Sequence, residues 1–108
     1  IGENPLQSEA DRTRTEGLLK SLEFLVVQDI YLTPTGEMAD VVLPAGAGWC
    51  ESEGTVTNSE RRVQRVRKAK EPPLGARDDV DILFELAKRL GHDWGAPNSK
   101  DIWDELGL

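Results

Sequence analysis

Glu23-Phe24-Leu25-Val26-Val27-Gln28 is a run whose apolar residues follow one another without alternation. A strand covered on both faces carries such a run, so the stretch is predicted to be a buried strand of a parallel sheet. Val41-Val42-Leu43 repeats the signal and is closed by Pro44, which gives a second buried strand. Between the two, Pro34 opens a short helix through Ala39. Downstream, Asp78 or Asp79 caps a helix in which Ile82, Leu83, Leu86, Ala87 and Leu90 recur at helical spacing. Lys88 and Arg89 complement the carboxyl end of its dipole, and Gly91 suits a left-handed terminus.

Upstream, Ser8 and Asp11 form an S-x-x-D pattern that opens a helix of about ten residues with Leu18, Leu19 and Leu22 on its apolar face. Pro97-Asn98-Ser99 starts a last short helix bearing Ile102, Trp103 and Leu106 on one side. From Thr55 to Val66 the β-branched residues alternate, which predicts extended chain and a hairpin about Asn58-Ser59. Glu71-Pro72-Pro73-Leu74-Gly75 is a loop, because two prolines and a glycine continue neither element. The expected fold is α/β: a small parallel, Rossmann-like sheet in one segment, 1–108, with an extended excursion near 55–67 inside a looser 50–75 stretch. Two short central strands make a thin core, so the segment reads as part of a larger domain. Its start at Ile1, without methionine or leader, fits that expectation.

Composition removes several classes of function. The chain has 108 residues, 31% of them charged, and a net charge of −7. No apolar stretch approaches the roughly 18 residues of a membrane span, and no secretory signal is visible; a cytoplasmic location is the expectation, though the missing leader carries little weight in an internal segment. One cysteine and one histidine, Cys50 and His92, are too few for a disulfide framework, a structural zinc or an Fe–S cluster. Cys50 reads as a small, partly buried residue and His92 as an exposed one just past a helix end. Trp49, Trp94 and Trp103 are isolated in sequence and read as packing residues. No catalytic or metal-ligating set is evident.

Six of the 13 basic residues crowd into positions 61–70, from which all 20 acidic ones are absent. A basic stripe on an acidic body either holds a local anion or an acidic neighbour, or is a solvated strand. The acidic remainder repels a DNA backbone and no aromatics interleave the stripe, so nucleic acid is not an expected partner.

In open α/β sheets, ligands sit beyond the carboxyl ends of the strands. Gln28 and Asp29 end the first strand, and Pro44 to Gly48 follow the second. A carboxylate there either accepts from ribose hydroxyls or the N1–H and N2–H₂ edge of guanine, or caps a turn. Asp79 at a helix start carries the same two readings, and Asn4 with Ser8 offers polar groups at the first helix. Gly46-x-Gly48 lacks the spacing of a dinucleotide fingerprint or a P-loop.

Four stretches in register add to this: Gly2-Glu3-Asn4-Pro5, Leu25 to Thr33, Ala39-Asp40-Val41-Val42-Leu43-Pro44, and Glu53-Gly54-Thr55-Val56-Thr57-Asn58-Ser59-Glu60-Arg61-Arg62-Val63-Gln64-Arg65. Together they resemble the molybdopterin oxidoreductases of the dimethyl sulfoxide reductase family, nearest the formate dehydrogenase catalytic subunits. The resemblance runs through Trp103-Asp104-Glu105-Leu106. It implies an internal segment of such a subunit, cradling one of two molybdopterin guanine dinucleotides that hold molybdenum or tungsten. An Fe–S cluster belongs to the parent and not to this segment. Asn4 and Ser8 match polar contacts of the first motif, and Gln28 with Asp29 match the site facing guanosine. Asp79 matches an acidic residue that reads guanine. Where relatives carry serine after the Leu-Pro pair, this chain has Ala45 in a loop one residue longer, and the backbone of Gly46 takes that place.

The same resemblance implies that the parent oxidises formate to CO₂, passing electrons to Fe–S centres, with catalytic groups outside this segment. Its implied partners are the remaining domains of the subunit and electron-transfer subunits, while exposed flanks leave self-association of the isolated piece open. Assimilatory nitrate reductase is the alternative within the family. A non-catalytic scaffold such as the large iron–sulfur subunit of respiratory complex I, or an independent small α/β interaction module, are alternatives of another class.

Overall fold

A computed structural model describes residues 1–106. In chain order it contains α1 (Pro5–Ser8), α2 (Arg12–Lys20), β1 (Val26–Asp29), α3 (Pro34–Glu37), β2 (Val41–Pro44), β3 (Gly54–Thr57), β4 (Val63–Val66), α4 (Asp79–Arg89) and α5 (Ser99–Glu105). β1 and β2 pair in parallel, Val26 opposite Val41 and Asp29 opposite Pro44. β3 and β4 form a separate antiparallel hairpin with Thr57 facing Val63. This is the mixed α/β arrangement expected, with the hairpin inside the predicted excursion.

Local chemistry fixes most boundaries. The Thr33 hydroxyl accepts from Gly36 N at 3.2 Å and Pro34 pre-sets the first turn of α3. Asp78 caps α4 by accepting from Val80 N at 2.9 Å, a contact worth about 1 kcal/mol. The far end of α4 closes on Gly91, whose φ of 94° only glycine adopts without strain, and His92 N reaches back to Ala87 O at 2.9 Å. In the hairpin, Asn58 Oδ1 accepts from both Glu60 N and Arg62 N, at 2.9 and 3.0 Å. That double acceptance holds Arg61 at a left-handed φ of 63°.

The start of the first long helix differs from expectation. Asp11 is itself the N-cap of α2, accepting from Arg14 N at 3.0 Å. Ser8 belongs to the preceding short helix, where its hydroxyl donates to Asn4 O at 3.2 Å. The reason is Pro5, which starts a turn of helix early and consumes Ser8 before α2 begins.

The core is small: Leu6, Val27, Ala45, Ala47, Ile82 and Ala87 are its buried apolar residues. Successive side chains of β1 point to opposite faces. On one face α3 packs on β1, and a Cβ on Gly36 would lie 3.9 Å from Val27 Cγ1. The other face is covered at its carboxyl end, where Gln28 meets the start of α4, and Val26 nearer the amino end stays exposed. The expectation of two covered faces therefore holds only at the carboxyl end of β1. Val41 and Val42 of β2 are exposed as well, as are Ile102 and Trp103 of α5 and Leu106 just after it.

Candidate functional site

Gln28 organises the carboxyl end of the parallel pair. It is buried, and its backbone carbonyl accepts from Gly2 N at 3.0 Å, which lays the amino-terminal strand of chain over β1. Its side-chain amide donates to Asp79 Oδ1 in the first turn of α4. No described residue donates to Asp79 Oδ2, so the carboxylate keeps an acceptor beside the amide oxygen of Gln28. An acceptor carboxylate next to an amide that can accept as well as donate is suited to the donor-rich edge of a purine such as guanine.

Asp29 does a different job. Its Oδ1 accepts from Ile30 N at 2.7 Å and, more weakly, from Tyr31 N at 3.4 Å, an Asx-turn that swings the chain off the sheet. Tyr31 and Leu32 project from that turn into solvent.

Asn4 is joined to this end through Thr35. The buried Thr35 hydroxyl donates to Asn4 Oδ1 at 2.6 Å and accepts from Leu6 N at 3.2 Å, tying α1 to α3. Asn4 Nδ2 donates to Gln7 Oε1 at 2.8 Å. Ser8 is exposed and its hydroxyl is spent on Asn4 O.

The loop after β2 is sewn to the start of α4. Ala45 N donates to Asp29 O at 3.0 Å, Arg77 N to Pro44 O at 3.2 Å, and Gly46 N to Arg77 O at 2.7 Å. Arg77 thus lies beside Ala45 in a one-residue parallel bridge, two residues before Asp79. Gly46 is buried, and a Cβ there would meet Pro72 Cγ at 3.2 Å and Arg77 O at 3.5 Å. Its amide is committed to Arg77, so in this conformation Gly46 contributes close packing.

Glu51 completes the loop. This buried carboxylate accepts from Ala47 N at 2.8 Å through Oε2 and pairs with Lys70 Nζ at 2.8 Å through Oε1. The Ala47 amide first, and Lys70 second, hold its pKa below the ordinary carboxylate value, while Glu51 raises that of Lys70. Cys50 O accepts from Ala69 N and Lys70 N at 2.8 and 3.2 Å, fastening the same joint through the backbone.

The basic stripe is largely neutralised in place. Arg62 pairs with Glu60, Arg65 with Glu53, Lys68 with Glu71 and Lys70 with Glu51. The first three pairs are exposed, and solvent screening leaves each of them weak. A groove of about 280 Å³ lies between β2 and α4, with Leu43, Pro44, Ile82 and Leu86 among its walls and Arg77 and Arg89 among its polar groups. Gln28 and Asp79 do not line it. Trp94 packs edge-on against Phe84 at 5.5 Å between centroids, whereas Trp49 is exposed. Among the described residues no group of three or more His, Cys, Asp or Glu is placed to hold a metal ion.

The structure brings Gln28 and Asp79 into direct contact, joins Asp29 and Gly46 to them through the ladder, and links Asn4 through Thr35. Ser8 is left at the periphery. Sequence reading does not single out Thr35 or Glu51, and it marks Lys70 only as one of the basic residues at 61–70. Each acts across a loop, and a lone threonine, glutamate or lysine carries no local pattern that announces such a contact.

A sequence model described as molybdopterin oxidoreductase matches residues 1–89. An F420-dependent formate dehydrogenase subunit alpha of Methanocaldococcus jannaschii is 51% identical over 108 residues, covering 98% of this chain and 16% of that protein. Formate dehydrogenase H of Escherichia coli is 41% identical over 106 residues, covering 98% and 15%. An assimilatory nitrate reductase of Haloferax mediterranei is 49% identical over 90 residues, covering 83% and 12%. The chain therefore spans about one sixth of the length of the first of these relatives.

Proposed function

We propose, because this chain belongs to the molybdopterin oxidoreductase family, that it is the part of a formate dehydrogenase-like subunit that holds the guanosine end of a molybdopterin guanine dinucleotide. The observation that carries the reading is the Gln28–Asp79 contact at the carboxyl ends of β1 and β2. Beyond the ends of parallel strands is where an open α/β sheet takes a nucleotide. The donor set fits that group. Asp79 offers an unshared carboxylate oxygen to N1–H and N2–H₂ of guanine, and Gln28 keeps its amide oxygen for a further donor. Asp29 lies on the same strand end, and the bond from Gly2 N to Gln28 O brings the segment bearing Asn4 to it, so these two would serve the ribose hydroxyls.

The bound cofactor would supply the redox chemistry, in which formate gives CO₂, a proton and two electrons, and the parent's Fe–S centre would receive the electrons. This segment's share is to bind and orient. Gln28 holds Asp79 aimed, and the Asx-turn at Asp29 keeps the following loop clear of the strand end. Tungsten in place of molybdenum would leave this share unchanged, because among the described residues no group of three or more His, Cys, Asp or Glu is placed to hold a metal ion. The remaining domains of the subunit and its electron-transfer partners would cover the exposed Val26, Val41 and Val42. A cytoplasmic setting fits this reading.

Formate is preferred to nitrate as the parent's substrate on the strength of coverage: the two formate dehydrogenases compared match 98% of this chain, the nitrate reductase 83%. Titration of the chain with GDP, followed by amide NMR, tests the site. The expected result is saturable shifts at Gln28, Asp29 and Asp79. A dispersed spectrum unmoved by millimolar GDP would overturn the assignment.

A further inference from the structure

Asp79 is the residue that faces the base, yet its place is set from a distance. The amino end of α4 is anchored by the bridge between Ala45 and Arg77, since Pro44 O, Gly46 N and the Arg77 backbone form one hydrogen-bonded unit. The loop from Ala45 to Gly48 has no regular structure of its own that would hold this unit still. What holds it is Glu51. One carboxylate oxygen takes the Ala47 amide, the other takes Lys70, and Glu51 Cβ lies 3.6 Å from where a Cβ of Gly46 would be.

We infer that Glu51 is a positioning residue for guanine recognition, acting through Ala47, Gly46 and Arg77 to fix Asp79. The inference rests on the guanosine reading above. A carboxylate suits the task because it is acceptor-only and accepts from two sides at once. Lys70 lies beyond the end of β4 and Glu51 before the start of β3, so the clamp also closes the base of the hairpin. The buried site, with both oxygens paired, gives a defined geometry where an exposed glutamate would give an ensemble.

The test is a comparison of GDP with IDP, which lacks the guanine 2-amino group, on the intact 108-residue chain. Affinity is read by calorimetry and the fold by amide spectrum. The native chain is expected to prefer GDP by roughly tenfold, as loss of one hydrogen bond to a carboxylate implies. Glu51→Ala and Glu51→Asp, the latter too short to reach Ala47 N with the backbone held at Cys50, are expected to reduce that preference to less than about twofold. Glu51→Gln retains an acceptor for Ala47 and is expected to keep most of the preference. A merely structural glutamate would lower both affinities together and leave their ratio unchanged. If Glu51→Ala loses its dispersed spectrum, Glu51→Asp carries the comparison.

An unchanged ratio in folded Glu51→Ala or Glu51→Asp overturns the positioning role and leaves the guanosine reading standing. A native chain that binds neither nucleotide overturns the guanosine reading, and the inference with it. A native chain that binds both equally shows that the 2-amino group is not read and also overturns the inference.

Discussion

Gln28 donates its buried side-chain amide to Asp79, 51 residues further along the chain. The bond joins the end of the sheet ladder to the first turn of α4, and the other carboxylate oxygen has no donor among the described residues. Asp79→Asn replaces that charged acceptor with an amide whose nitrogen competes as a donor. GDP affinity is expected to fall by roughly 10- to 100-fold, the equivalent of about 1.5–3 kcal/mol for a hydrogen bond to a charged group. Calorimetric titration of the variant, with its amide spectrum as a check on folding, measures this directly.

Thr35→Val removes a hydroxyl that donates to Asn4 and accepts from Leu6 N. The side chain keeps its shape but strands two polar groups, one of them a buried backbone amide. A loss of about 1–3 kcal/mol in stability is expected from that desolvation alone. Urea unfolding followed by circular dichroism would read it as a lower midpoint with an unchanged slope.

Gly46 and Gly48 respond differently to the same substitution. A methyl at Gly46 meets Pro72 Cγ at 3.2 Å, tight enough to force the proline ring aside, whereas nothing stands within 4 Å of one at Gly48. Gly46→Ala is expected to cost about 1–2 kcal/mol and Gly48→Ala less than about 0.5. Equal midpoints for the two variants in thermal melts would contradict the close packing described for Gly46.

The Glu51–Lys70 joint fixes an acid limit to stability. The pKa of Glu51 is lowered from an ordinary 4.5, by the Ala47 amide chiefly and by Lys70. Its contribution is therefore complete above that unfolded value and is lost as pH falls through the lower folded one. The pKa of Lys70 is raised from 10.5 by Glu51, so the complementary contribution is present below 10.5 and disappears as pH rises through the higher folded value. Denaturation midpoints of the native chain should fall below pH 4.5, and those of Glu51→Gln should fall less steeply over the same range.

Much of the scaffold is legible in local sequence because its causes are local. Pro34 and Thr33 make α3, Asp78 and Gly91 bracket α4, and the apolar runs at 25–27 and 41–43 pair as parallel strands. Asn58, which closes the hairpin through its own side chain, is likewise a short-range device. What sequence hides is pairing across loops. Glu51 finds Lys70 and Thr35 finds Asn4 only once intervening chain has folded, and no periodicity encodes either meeting. Ser8 shows the opposite hazard: its S-x-x-D spacing imitates a capping box, but Pro5 recruits it into an earlier turn. Gln28 and Asp79 were each visible as strand-end and helix-start polar residues, though their contact was not.

Both strand pairs are built from near neighbours, β1 with β2 and β3 with β4, and the two sheets are separate. Longer ties run through a few polar stitches, among them Gly2 to Gln28, Gln28 to Asp79 and Arg77 to Pro44. Such an architecture should loosen piecemeal on heating, with α4 peeling from the sheet before the ladder itself melts. A nucleotide that grips Asp79 and Gln28 together would then act as a rivet across the weakest seam. Its signature would be slower amide exchange along α4, with far less change in the β3–β4 hairpin.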